Sequence, residues 1–108
     1  MDNNSFKPYY AVIFTSIRGR DEDSAYEEMA ERMVELAKKQ VGFLGIESAR
    51  SEIGITVSYW KDLESIKLWK EHSEHKIAQQ LGKIKWYDYY KVRIAKVERE
   101  YDFNNKPA

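Results

Sequence analysis

Apolar and polar positions alternate along the chain in blocks that predict six elements. Tyr9 to Arg18 (YYAVIFTSIR) is dense in β-branched and aromatic residues and predicts a strand. Both of its alternating sets are largely apolar: Tyr9, Ala11, Ile13 and Ile17 on one side, Tyr10, Val12 and Phe14 on the other. A strand patterned this way is covered on both faces. Arg18-Gly19-Arg20-Asp21 ends it, and Ser24-Ala25-Tyr26-Glu27 fits a capping box that starts a helix. Tyr26, Met29, Ala30, Met33 and Ala37 then recur at helical spacing, with acid early and lysine late as the helix dipole prefers. Gly42 is the expected C-terminal stop.

Phe43 to Arg50 and Ile55 to Trp60 read as strands joined through Ser51-Glu52-Ile53-Gly54 into a hairpin. Asp62 caps a second helix with Leu63, Ile66, Trp69, Ile77, Ala78 and Leu81 along one stripe. His72-Ser73 is a candidate kink, and Gly82 ends the helix. Trp86 to Phe103 has no Gly or Pro and many strand formers. Fully extended it would reach roughly 60 Å, which the shorter strands before it cannot match. It is expected to bend, or to overhang and pair with another chain.

The order is β-α-β-β-α-β, a ferredoxin-like α+β pattern with a four-stranded antiparallel sheet. Two helices cover one face of such a sheet, whereas the first strand is apolar on both. A second copy packed sheet to sheet resolves the mismatch, so a homodimer is expected. One domain spans 9–101, flanked by tails 1–8 and 104–108.

Composition narrows the chemistry. The 18 basic and 18 acidic residues cancel, which argues against a dedicated nucleic-acid binder. Gly42-Phe43-Leu44-Gly45 partly matches an aromatic RNA-binding motif, but Val41 stands where Lys or Arg should precede it. There is no cysteine, which removes disulfides, thiolate nucleophiles and Cys-based metal sites. No apolar run approaches the roughly twenty residues a spanning helix needs, and MDNNSFKPYY is not a secretory signal. A cytoplasmic protein with no membrane partner is expected. Arg18-Gly19-Arg20 before a helix suggests an anion cradle, but Asp21, Glu22 and Asp23 follow it, so a solvated turn is expected. No phosphate-binding loop, dinucleotide fingerprint or Ser-His-Asp order is present.

Three residue groups remain. Trp69 either packs the core beside Ile66 or lines a pocket. His72 and His75 share a helix face; a third metal ligand is not assured, so no metal is expected. His75 is the preferred base because Ile77 and Ala78 place its surroundings near the core, and its ordinary pKa of about 6.5 suits work near neutrality. Trp60, Trp86, Tyr59, Tyr87, Tyr89 and Tyr90 flank the ends of the last two strands and are candidates for a flat aromatic cavity, or for core and dimer interface.

Gly42-Phe43-Leu44-Gly45-Ile46-Glu47, Tyr59-Trp60 followed by Asp62-Leu63-Glu64-Ser65-Ile66 and Trp69, then His75, Gly82 and Trp86-Tyr87, together resemble the antibiotic biosynthesis monooxygenase (ABM) domain family. The resemblance covers most of the chain and implies a dimeric α+β barrel with a pocket between sheet and helices in each subunit. It implies oxygenase chemistry on a small aromatic molecule without a nucleotide cofactor. His75 and Trp69 would then be catalytic, and Phe14, Trp60, Gln79 and Trp86 would bind substrate. One branch of the family degrades haem with a Trp, an axial His and a strand-1 Asn. Trp69 matches that Trp, but the other two positions fall at Gln79 and Val12. No cofactor is therefore expected, with haem as the alternative. A non-catalytic dimer that binds a small molecule is the other rival.

Overall fold

The computed structural model describes residues 6–19, 24–81 and 87–105, the middle stretch with side chains from 27 to 74. The elements are β1 (Tyr9–Arg18), α1 (Ser24–Lys38), β2 (Phe43–Arg50), β3 (Gly54–Trp60), α2 (Leu63–Leu81) and β4 (Tyr87–Val97). All strand pairs are antiparallel in the order β2-β3-β1-β4, which is the expected ferredoxin-like α+β topology. The Ser24 side chain of the capping box, the turn at Arg20-Asp21 and the stop at Gly82 lie outside what is described, although α1 does begin at Ser24.

The register fixes which side chains share a face. Tyr10 pairs Trp60, Val12 pairs Ser58 and Phe14 pairs Thr56. Tyr10 and Val12 pack with Phe43 and Trp69 against the buried cluster of Ala37, Trp60 and Ile66. That is the helix face. Tyr9, Ala11, Ile13, Thr15 and Ile17 point the other way, opposite Tyr59, Val57 and Ile55 of β3. On that second face Ala11 is buried, Ile13 and Val57 are half-buried, and Ile17 and Ile55 are exposed. The two-sided apolar pattern of β1 is therefore met by helices on one side only within a single chain.

Three details differ from the sequence reading. Residues 72 and 73 do not break α2 into two helices; it runs continuously over 19 residues. The Ser73 hydroxyl donates to the Lys70 carbonyl at 3.1 Å, an i−3 bond compatible with a continuing helix. Strand β4 stops at Val97 rather than Phe103, because its ladder partner β1 begins at Tyr9 and offers nothing beyond. Gly42 does not terminate α1, which ends at Lys38; it turns the chain into β2 at φ +87°. Its carbonyl accepts from Lys61 N at 2.7 Å, tying this turn to the entrance of α2.

Asp62 caps α2 as expected. Its Oδ1 accepts from Ser65 N at 2.8 Å and from Ser65 Oγ at 2.6 Å, and these bonds hold its carboxyl below the usual carboxylate range. A carboxyl depressed in the fold adds stability above its unfolded pKa and loses that contribution as pH falls through the folded value. Asp62→Ala is accordingly expected to melt earlier than wild type at pH 7. The gap should close in strong acid, and a gap constant down to pH 2 would contradict the cap.

Candidate functional site

The helix face carries an aromatic ladder. Phe43, at the start of β2, meets Trp60 edge-on at 5.4 Å between ring centroids. Trp60 stacks on Trp69 of α2 at 5.9 Å and 25°. Trp69 in turn meets the His72 ring at 5.9 Å and 32°. The ladder forms because β3 ends in Trp60 and the Asp62 cap starts α2 at once, so Ile66 and Trp69 come back over that tryptophan. Trp60 is fully buried and its indole Nε1 donates to Ser58 Oγ at 2.9 Å. Trp69 and His72 are half-buried, three residues apart on one helix face.

The polar atoms along this ladder are not treated alike. Trp60 Nε1 has its acceptor, whereas His72 Nε2 is buried with no hydrogen-bond partner among the described residues. A buried polar atom left without a partner costs about 1–3 kcal/mol. His72 is the histidine the sequence reading set aside in favour of His75. The signal that could have raised it was its i+3 spacing from Trp69.

A second aromatic group lies farther along the same face. Phe14 stacks on Tyr90 at 5.3 Å and meets Tyr87 edge-on at 5.4 Å. Phe14 sits four residues along β1 from Tyr10, the partner of Trp60, or about 13 Å of strand. Tyr90, Val92 and Ile94 of β4 are exposed on this side. Of the predicted site residues, Trp60 and Trp69 are thus brought into contact, and Phe14 heads a separate cluster. Trp86 and the side chains of His75 and Gln79 lie outside the described residues.

Tyr59 and Tyr89 do not join a shared cavity with these groups, because the register turns them to the opposite face. There the Tyr59 hydroxyl donates to Glu47 Oε1 at 2.7 Å, and the Tyr9 hydroxyl donates to Glu100. The two tyrosine rings meet edge-on at 5.9 Å. The carboxylate bond, then burial, push the Tyr59 phenol up to about 12. Tyr9 is raised by the same kind of bond to Glu100. A phenol raised in the fold holds its proton where the unfolded chain has lost it. Stability is therefore present below the unfolded pKa of about 10 and falls as pH rises toward 12. Denaturation midpoints should fall over that window more steeply in wild type than in Tyr59→Phe. Parallel pH profiles would contradict the assignment.

Elsewhere, Arg50 donates through Nη2 to the fully buried Ser16 hydroxyl, with its guanidinium laid over Gly54. A shallow hollow lined by Glu100, Tyr101 and Asp102 holds none of the predicted site residues. Among the described residues, no group of three or more His, Asp or Glu side chains is placed to hold a metal, and no helix is long and apolar enough to cross a membrane.

The β2-β3-β1-β4 antiparallel sheet with two helices is a ferredoxin-like α+β fold, the fold that antibiotic biosynthesis monooxygenase-like proteins share. No family model matches the chain. A Nitrosomonas europaea protein assigned as an antibiotic biosynthesis monooxygenase superposes with a TM-score of 0.64 at 16% identity, over 83% of this chain and 91% of that one. The cofactor-independent oxygenase SnoaB of Streptomyces nogalater gives 0.64 at 10% identity, over 86% and 95%. MhuD, holding two manganese protoporphyrin IX molecules per active site, gives 0.64 at 14% identity, over 89% and 99%. In sequence, the uncharacterised protein YqjZ of Bacillus subtilis (strain 168) is 52% identical over 95 residues, spanning 86% of this chain and 82% of its own length. The chain belongs to the YqjZ family.

Proposed function

We propose that this protein is a homodimeric monooxygenase that acts without a nucleotide or haem cofactor on a small, electron-rich aromatic molecule. The observation that carries the reading is the ladder of Phe43, Trp60 and Trp69, which ends in half-buried rings on the helix face. Flat apolar walls with few polar groups suit a planar ligand. The cofactor-independent oxygenase among the structural neighbours supports the reaction class.

In this mechanism the pocket orients the substrate against Trp69 and keeps water away. His75, on the same helix, takes the proton of a phenol or of an acidic ring C–H. The resulting anion adds O₂ at a ring carbon. The O–O bond then breaks, one oxygen stays on the ring as a quinone carbonyl, and the other leaves as water with the substrate's two lost hydrogens. The substrate itself supplies both electron pairs, so no outside reductant is required. The apolar sheet face bearing Ile13, Ile17, Ile55 and Val57 supports the homodimer, as the surface a second copy would cover.

Of the two described positions of the haem-degrading set, Trp69 fits and Val12 does not. Val12 stands at the strand position of that set's Asn, and its side chain packs with the Trp60 cluster and offers no hydrogen-bond donor. The test is a hemin titration followed in the Soret region, with ascorbate and O₂ added afterwards. No saturable band is expected. A sharp saturable band that decays on reduction would move the protein to haem degradation.

A further inference from the structure

Resting on the aromatic-pocket reading above, we propose that His72 is the polar contact of the pocket, its Nε2 hydrogen-bonding a ring hydroxyl of a planar ligand held beside Trp69. Three observations meet at this side chain. Its ring continues the ladder from Trp69 at 5.9 Å, so a flat molecule resting on that surface reaches it. Its Nε2 is removed from solvent. The same atom has no partner among the described residues, although Trp60 Nε1, the comparable ring nitrogen one step deeper, is satisfied by Ser58. Native structures rarely leave such an atom without a purpose.

The chemistry of the partner follows from the imidazole. In the neutral ring one nitrogen donates and the other accepts. A hydroxyl can do either, so it satisfies Nε2 in both tautomers, whereas a bare carbonyl fits only one. An aromatic compound carrying a hydroxyl on its edge therefore meets the site twice, through ring stacking on the indole and through one hydrogen bond. An unsubstituted hydrocarbon meets it once.

The experiment compares 2-naphthol with naphthalene by calorimetry, in wild type, His72→Phe and His72→Gln, with folding of each variant checked by circular dichroism. Wild type is expected to bind 2-naphthol at least tenfold more tightly, a difference of about 1.4 kcal/mol. His72→Phe keeps a flat ring against Trp69, so it should retain naphthalene affinity and lose the preference. His72→Gln should keep part of it. In ¹⁵N spectra of the wild-type imidazoles, the His72 Nε2 resonance should move on adding 2-naphthol and stay still with naphthalene. A preference that survives in His72→Phe, or an Nε2 resonance indifferent to 2-naphthol, overturns the assignment, and a buried water then fills the position. In that case the pocket itself stands if naphthalene binds. Failure of both probes to bind removes the pocket reading and this assignment together.

Discussion

Trp60→Ala is expected to cost about 3–5 kcal/mol of stability, the range for emptying a buried tryptophan site. Trp60 has no exposed surface, and it is the member of the core that joins every layer. Its ring meets Phe43 from β2 and Trp69 from α2, and Ala37 brings α1 to the same cluster. Removing it leaves a hole bordered by three elements that cannot all collapse into it. It also takes the donor from the buried Ser58 hydroxyl. Against a typical total of about 5–15 kcal/mol, such a loss brings the chain near its unfolding threshold. Trp60→Phe keeps most of the apolar contact and should lose less than half as much. Urea denaturation with an unchanged slope measures both, and a cost under about 1 kcal/mol for the alanine variant would mean that the core is not centred here.

The second large effect is expected at Gly42. Its φ of +87° lies in the region that L side chains enter at a cost of about 1–2 kcal/mol. The site is crowded as well: a methyl group there would lie 2.6 Å from Ser65 Cβ and closer still to its hydroxyl. Ser65 is buried and donates twice to the Asp62 cap, so it cannot step aside without loosening the start of α2. With overpacking added to backbone strain, Gly42→Ala should destabilise by about 2–4 kcal/mol. Ser65→Gly in the same chain removes the steric part and leaves the backbone part. The double variant should therefore be more stable than the sum of the two single costs implies, by about 1 kcal/mol. Simple additivity would show that the crowding is not felt.

These two sites also show what could be read from sequence. The strands and helices were legible because local pattern survives in a single chain: β1 is a dense run of β-branched and aromatic residues, and α2 repeats Ile66 and Trp69 on its buried side. Gly42 was visible as a glycine near a helix end, but its purpose was not. The contact that requires it comes from Ser65, on another element 23 residues away. The end of β4 was left open for a related reason, since a strand stops where its neighbour runs out, and β1 sets that limit. Among the candidate site residues, the meeting of Trp60 and Trp69 follows from the short link between β3 and α2. The separation of Phe14 from them depends on register, which a residue count does not specify, whereas the turning away of Tyr59 follows from its place next to Trp60 on one strand. His72 was passed over because Ile77 and Ala78 place the surroundings of His75 nearer the core. What marks it is an unmet hydrogen bond in three dimensions.

Oxygen uptake with 1,5-dihydroxynaphthalene, measured with enough protein to exceed autoxidation and with chelator present, tests the central claim most directly. The proposed chemistry converts this diol and one O₂ into the hydroxynaphthoquinone and one water, with no reductant added. Saturable uptake is expected, with one O₂ consumed per quinone formed. His75→Ala should slow it about 100-fold, the usual share of a general base, while sedimentation still shows a dimer. Uptake no faster than in buffer would contradict the account, and unchanged turnover in His75→Ala would remove that residue from it.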